Sequence, residues 1–214
     1  MDIPLEKRLK RRLHVEVGRL QDEVMDAAYS LDNRLVFHGG TCIWRCYSGS
    51  RFSEDLDLYC NKPDRIAEGL KGVLESRALV LAKFKRTANV IFAKISNGDV
   101  EVRLELNVAA KAAGEARRYE KINGSSIEVL CLSVEELLAE KAAAYKNRRF
   151  VRDLYDVYYL SGLARTSEAA KMAVADILED YKKPIDERNL QVLVYAGAVP
   201  TSEQMLLALK RRFQ

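Results

Sequence analysis

The 214-residue chain lacks any apolar run near the roughly 20 residues that a membrane span requires, and its start, Met1 to Arg12, is charged with no apolar stretch behind it. Membrane insertion and secretion are therefore not expected, and a cytoplasmic location is. Proline and glycine are scarce, at 4 and 11, beside 48% hydrophobic and 31% charged residues, which excludes collagen, low-complexity and wholly disordered architectures. Only 2 histidines are present, and the four cysteines, Cys42, Cys46, Cys60 and Cys131, contain no CxxC pair, so a structural zinc site has little support. The cysteines read as reduced, mostly buried, small apolar residues. An excess of one charge is missing too. The 35 Lys and Arg against 31 Asp and Glu leave +4, too little for a histone-like polyanion binder and enough for one basic face.

What is present is patterning. Leu9, Leu13, Val17, Leu20, Val24, Ala27 and Leu31 recur in steps of three and four and predict one long amphipathic helix from Leu5 to Leu31. A strand is expected at Arg34 to Phe37, running into His38-Gly39-Gly40-Thr41 and then a helix over Cys42 to Tyr47. Glu54 to Cys60 alternates, with Ser53, Asp55, Asp57 and Tyr59 on one side of a second strand. A helix over Asp64 to Ser76 and strands over Leu79 to Lys85 and Asn89 to Ser96 follow, with Asn97-Gly98-Asp99 as a hairpin turn. Val100 to Val108 alternates strictly, setting Glu101, Arg103, Glu105 and Asn107 on a charged face. A strand at Ile127 to Cys131 ends this region, and the rest is helical in pattern. That shift places two domains at 1–131 and 132–214. Ser133 with Glu136 is a capping box, opening a helix that runs to a cap at Gly162, with a break near Asn147 as the alternative. Helices over Ser167 to Tyr181, Ile185 to Leu193 and Ser202 to Arg212 complete the chain.

Chemistry concentrates in Arg51-Phe52-Ser53-Glu54-Asp55-Leu56-Asp57. Two carboxylates two residues apart on a strand share a face and repel unless a cation lies between them, and a hard divalent ion with phosphate in its shell suits such a pair. On its own the pair is equally an acidic, solvated strand face. Gly39-Gly40-Thr41, at a strand-to-helix junction, offers free backbone N–H groups and a helix dipole to an anion, or else is simply a tight turn. Glu105 or Glu101 joins the aspartates as a third acid if the strands are neighbours, although Arg103 lies between them. Lys141, Tyr145, Arg148, Arg152, Tyr155 and Tyr159 fall in one arc of a continuous helix, as a nucleotide or RNA contact or as a solvated face. Asp153 and Asp156 are expected to pair with Arg149 and Arg152.

In order, His38-Gly39-Gly40-Thr41, Tyr47, Arg51 to Asp57, Leu104-Glu105-Leu106-Asn107, Glu140-Lys141, Arg148 and Arg152 to Asp156 resemble the signature of the AbiEii/AbiGii toxin family of nucleotidyltransferases, within the DNA polymerase β-type superfamily. The resemblance implies an α/β (α+β) fold, a nucleotidyltransferase-type mixed β-sheet flanked by helices and followed by a helical C-terminal part. It implies transfer of a nucleoside monophosphate from an NTP with loss of pyrophosphate, using Mg²⁺ or Mn²⁺ held by Asp55, Asp57 and Glu105. Gly39, Gly40, Thr41, Arg51 and Ser53 would hold the triphosphate, Lys141 would neutralise charge on it, and Asp153 would orient Lys141 or an arginine. Family likeness also implies a tRNA acceptor and a cognate antitoxin, with Arg148, Arg149 and Arg152 as RNA contacts. Transfer to a small-molecule or protein hydroxyl, or a non-catalytic nucleotide- or RNA-binding module, are the alternatives. Ser53, on the face of both aspartates, is a further candidate for phosphorylation that silences the site.

Overall fold

Leu56, Leu58, Ile91, Ala93, Ile95, Val102, Leu104 and Leu106 are all buried, and their period of two along the chain builds the centre of a mixed sheet. The computed structural model describes residues 3–109 and 113–214. Among these, seven strands form one sheet: β1 (Val36–His38), β2 (Leu56–Cys60), β3 (Val80–Arg86), β4 (Val90–Ser96), β5 (Glu101–Val108), β6 (Glu115–Glu120) and β7 (Ser126–Cys131). Their order is β3-β4-β5-β2-β1-β7-β6. The β2–β5 and β1–β7 pairs are parallel, and the others antiparallel. This is the mixed sheet with helices that the family resemblance implies.

The chain divides into two compact units. The first runs up to Ser48 and from Phe52 to Leu132, and the second comprises Gly49–Arg51 with Ser133–Gln214. The first contains the sheet with helices α1 (Leu5–Arg8), α2 (Arg12–Leu31), α3 (Gly39–Cys46) and α4 (Pro63–Glu75). Helix α2 packs on α4 and β5, while α3 lies against β1, β2 and β6. The second unit contains α5 (Val134–Arg148), α6 (Val151–Leu163), α7 (Glu168–Glu179), α8 (Leu190–Leu193) and α9 (Ser202–Phe213). Segment Gly49–Arg51 enters it through a bridge between Arg51 and Val194 and a bond from the Tyr195 N–H to the Ser50 carbonyl, 3.0 Å.

Several local expectations are corrected. The long N-terminal helix is two, because Leu9 and Arg11 adopt extended backbone; Leu9 turns inward to be buried, and Leu13, counted in the apolar stripe, is 60% exposed. Strand β6 was not expected, since only Tyr119 of Glu115–Glu120 is buried and no alternation marks it. Gly162 is not a cap: α6 continues to Leu163, and Ala164 ends it in an extended conformation. The helix from Ser133 breaks at Arg149 and Phe150, with Arg149 in the left-handed region at φ 54°, so the basic and aromatic arc is not carried by one helix. Among the described residues no helix is long and apolar enough to cross a membrane.

Candidate active site

Parallel pairing of β2 with β5 sets Asp57 opposite Glu105, and Leu56 opposite Leu104. The inward leucines fix that register, because a one-residue slip would turn the apolar set outward. Asp55, just before β2, forms an ion pair with Arg103 on β5. Partial burial pulls the Arg103 guanidinium down, but its hydrogen bond to Asp55 and the charges of Asp55, Asp57 and Glu105 outweigh this and hold its proton more tightly than usual. One cation thus lies in the field of all three carboxylates. Each of the three acids is half-buried, open to a ligand on one side. Among the described residues these three carboxylates are not a set whose ligand atoms all lie within 4.8 Å of one another, and Asp55 is held by Arg103, so a hard divalent cation, which takes oxygen ligands, would have to displace that ion pair.

The glycine junction is fitted to this face. Gly39, the first residue of α3, has φ +76°, and a Cβ there would lie 2.3 Å from Asp57 Oδ2, so only glycine lets the chain pass. Gly40 and Thr41 continue the first turn of α3, whose N-terminus presents N–H groups beside the carboxylates. The Thr41 hydroxyl donates to the Asp55 carbonyl, tying α3 to the loop before β2. On the other side of that loop, buried Gln21 of α2 donates to the Ser53 and Glu54 carbonyls, both at 2.9 Å. Ser53 is half-buried there. Gln21 lies on the apolar side of a helix 32 residues away in sequence from Ser53. Its only sequence signal was a polar residue interrupting an apolar stripe.

In the second unit, Arg51 is buried and grips Asp156 through two bonds, Nε to Oδ1 at 2.9 Å and Nη2 to Oδ2 at 2.8 Å. Lys141 Nζ lies 3.3 Å from Asp156 Oδ2 and 3.9 Å from Asp153 Oδ1. Arg148 holds Asp153 in a second fork at 2.6 and 2.8 Å. The pairing of Asp153 and Asp156 with Arg149 and Arg152 is therefore corrected: their partners are Arg148, Lys141 and Arg51. Lys141, Asp153 and Asp156 are buried on the α5–α6 hairpin, where a buried carboxylate requires a cation, while Arg148 reaches Asp153 from an exposed position. Burial pushes the Asp156 carboxyl up, yet the charges of Arg51 and Lys141 overcome this and hold it below its ordinary range. Asp156 is the residue that sequence reading undervalued, because its main partner, Arg51, is 105 positions distant.

Arg148 and Arg152 both lie over the Phe150 ring, each 5.5 Å from its centroid, at the break between α5 and α6. Arg149 beside them is exposed, its backbone N–H closing α5 on the Tyr145 carbonyl at 2.8 Å. Tyr145 and Tyr155 are buried, and the Tyr145 hydroxyl donates to the Lys182 carbonyl at 2.5 Å, so these two rings belong to the core of the unit.

The fold is shared with known nucleotidyltransferases. It resembles MenT4, a nucleotidyltransferase toxin from Mycobacterium tuberculosis H37Rv, with TM-score 0.59 and 19% identity over 94% of this chain and 82% of that one. JHP933 from Helicobacter pylori is similar at TM-score 0.65 and 19% identity, over 95% and 91% of the two chains. The antibiotic-resistance factor ANT(2'')-Ia is similar at TM-score 0.51 and 16% identity, over 75% and 90%. None of the curated proteins matches the sequence. The family model for the nucleotidyl transferase AbiEii toxin of type IV toxin–antitoxin systems matches residues 23–212, a stretch that holds every one of the carboxylates, glycines and paired cations described above. By that match the chain belongs to the AbiEii family of nucleotidyltransferase toxins.

Proposed function

We propose that this nucleotidyltransferase moves a nucleoside monophosphate from an NTP onto a hydroxyl of tRNA, with Mg²⁺ or Mn²⁺ held by Asp55, Asp57 and Glu105, and that an antitoxin protein restrains it in the cytoplasm. The observation that carries this reading is the strand register that sets Asp57 opposite Glu105, with Asp55 just before β2 and Arg103 in the field of all three carboxylates, beside a glycine-led helix N-terminus. Bound divalent ions supply Lewis-acid charge on the transferred phosphoryl group and ease ionisation of the attacking hydroxyl. Glu105 accepts the proton of the acceptor hydroxyl. The acceptor oxygen bonds to the α-phosphorus as the bond to the bridging oxygen breaks, and pyrophosphate leaves. Gly39, Gly40 and Thr41 bind phosphate oxygens through backbone N–H groups, and the side chain of Ser53 faces the same ligand.

Lys141 is assigned the neutralisation of charge developing on the phosphates. Arg51, tied to Asp156, positions that carboxylate against Lys141, and Asp153 orients Arg148. The Arg148–Phe150–Arg152 stack with exposed Arg149 offers charge to an RNA backbone and a ring face to a base.

The test is incubation of the protein with Mg²⁺, each α-labelled NTP in turn and total tRNA, beside Asp55→Asn and Asp57→Asn. Label entering tRNA, reduced more than about 100-fold in either variant while both remain folded, is the expected result. Label entering protein or a small molecule instead would overturn the tRNA assignment, and label entering nothing under any acceptor would overturn catalysis by this face.

A further inference from the structure

Three of the four cysteines converge. The Sγ atoms of Cys42, Cys46 and Cys131 all lie within 4.8 Å of one another, in a cluster inside the first unit. Cys42 and Cys46 are four residues apart on α3 and so share one face of it, while Cys131 ends β7. Cys42 and Cys131 are buried; Cys46 is partly exposed and lines a cleft with Arg8, Arg45, Arg118 and Glu120.

The Cys42 and Cys46 thiols lie in hydrogen-bond relation to Cys131, and Arg117 and Glu115 act on it with opposite sign. Burial pushes Cys42 and Cys46 up, and Arg45 partly offsets this at Cys46. Two guanidinium groups, Arg117 and Arg45, act on the cluster.

We propose that Cys42, Cys46 and Cys131 form a three-thiolate site for Zn²⁺, with its fourth position open towards the cleft at Cys46. Metal–sulfur bonds of about 2.3 Å set three sulfurs about 4 Å apart, a spacing within that of the cluster. Soft thiolates select such an ion over the hard cations that suit Asp55 and Asp57. Binding releases to solvent the protons that the three thiols hold. The resulting charge of −1, three thiolates with one divalent ion, is balanced by Arg117 and Arg45. The ion pins the last turn of α3 to the end of β7, and so steadies the helix that starts at Gly39. This site is independent of the tRNA reading.

The reduced, chelator-treated full chain is titrated with Co²⁺ as a spectroscopic probe and then with Zn²⁺. One equivalent of Co²⁺ is expected to give thiolate-to-metal charge-transfer absorption that Zn²⁺ abolishes. Alkylation of Cys46 is expected to slow by about tenfold or more with Zn²⁺ present, because a coordinated thiolate is a poorer nucleophile. Cys60→Ser is expected to bind as the parent does, and Cys131→Ser to lose the charge-transfer band. Because Cys131→Ser removes a buried side chain, the parent protein decides alone: a folded, reduced chain with no such band overturns the proposal. A Cys46–Cys131 disulfide on mild oxidation, with no Co²⁺ absorption in the reduced form, would mark a redox pair and overturn it equally.

Discussion

Asp57 and Gly39 illustrate how little room the carboxylate face allows. Gly39→Ala would force a side chain into left-handed backbone, at a cost of about 1–2 kcal/mol, and press its Cβ on the Asp57 carboxylate. A variant that melts a few degrees lower yet loses transfer activity out of proportion is the expected outcome, read by thermal melts beside an NTP assay. Arg103 has the opposite character, since its half-exposed ion pair with Asp55 competes with any metal there. Arg103→Ala should lower the Mg²⁺ concentration giving half-maximal activity by about two- to fivefold, the worth of an exposed ion pair. In the second unit, Asp156→Asn leaves buried Arg51 without its charge partner and should cost about 3–5 kcal/mol in urea unfolding. Glu105 was separated from Glu101 only by the family resemblance, while Asp55, Asp57 and the glycines stood out in the sequence because short spacing places them. Asp156, Gln21 and the cysteine cluster did not, because each depends on a partner brought from a distant stretch.

Elements were legible in proportion to how regularly they bury apolar residues. Strand β5 buries Val102, Leu104 and Leu106 and leaves Glu101 and Arg103 exposed and Glu105 half-buried, so its period was plain from the chain alone. Strand β6 is an edge strand that buries little, and pairing with β7 rather than any pattern of its own defines it. The start of α5 was equally plain: the Ser133 hydroxyl accepts from the Glu136 N–H, and the Glu136 carboxylate accepts from the Ser133 N–H at 2.9 Å. Ser133→Ala should cost about 1 kcal/mol in chemical unfolding. Its end was ambiguous, because a left-handed arginine carries no sequence mark. Arg149→Gly relieves that strain and should stabilise the protein by about 0.5–1 kcal/mol while weakening tRNA binding; Arg149→Ala should weaken binding without the gain. Filter binding and urea titration on both variants check this.

Across the whole molecule, the sheet with its flanking helices was readable, but the passage of Gly49–Arg51 into the helical unit was not, since three residues carry no periodicity. The Arg51–Asp156 pair makes acid stability a property of that unit. The Asp156 carboxyl is held below its ordinary value of 3.8, so its stabilising contribution is complete above that value and is lost as pH falls through the lower folded one. Melting temperature should therefore drop steeply below about pH 4, and less steeply in Asp156→Asn, when both are followed by circular dichroism from pH 6 downward. Separation along the chain has a consequence in time. Arg51 leaves the ribosome 105 residues before Asp156, an interval of roughly 5–20 s at ordinary synthesis rates. Throughout that interval the Arg51–Asp156 pair cannot form, so the helical unit completes its fold only after Asp156 has emerged.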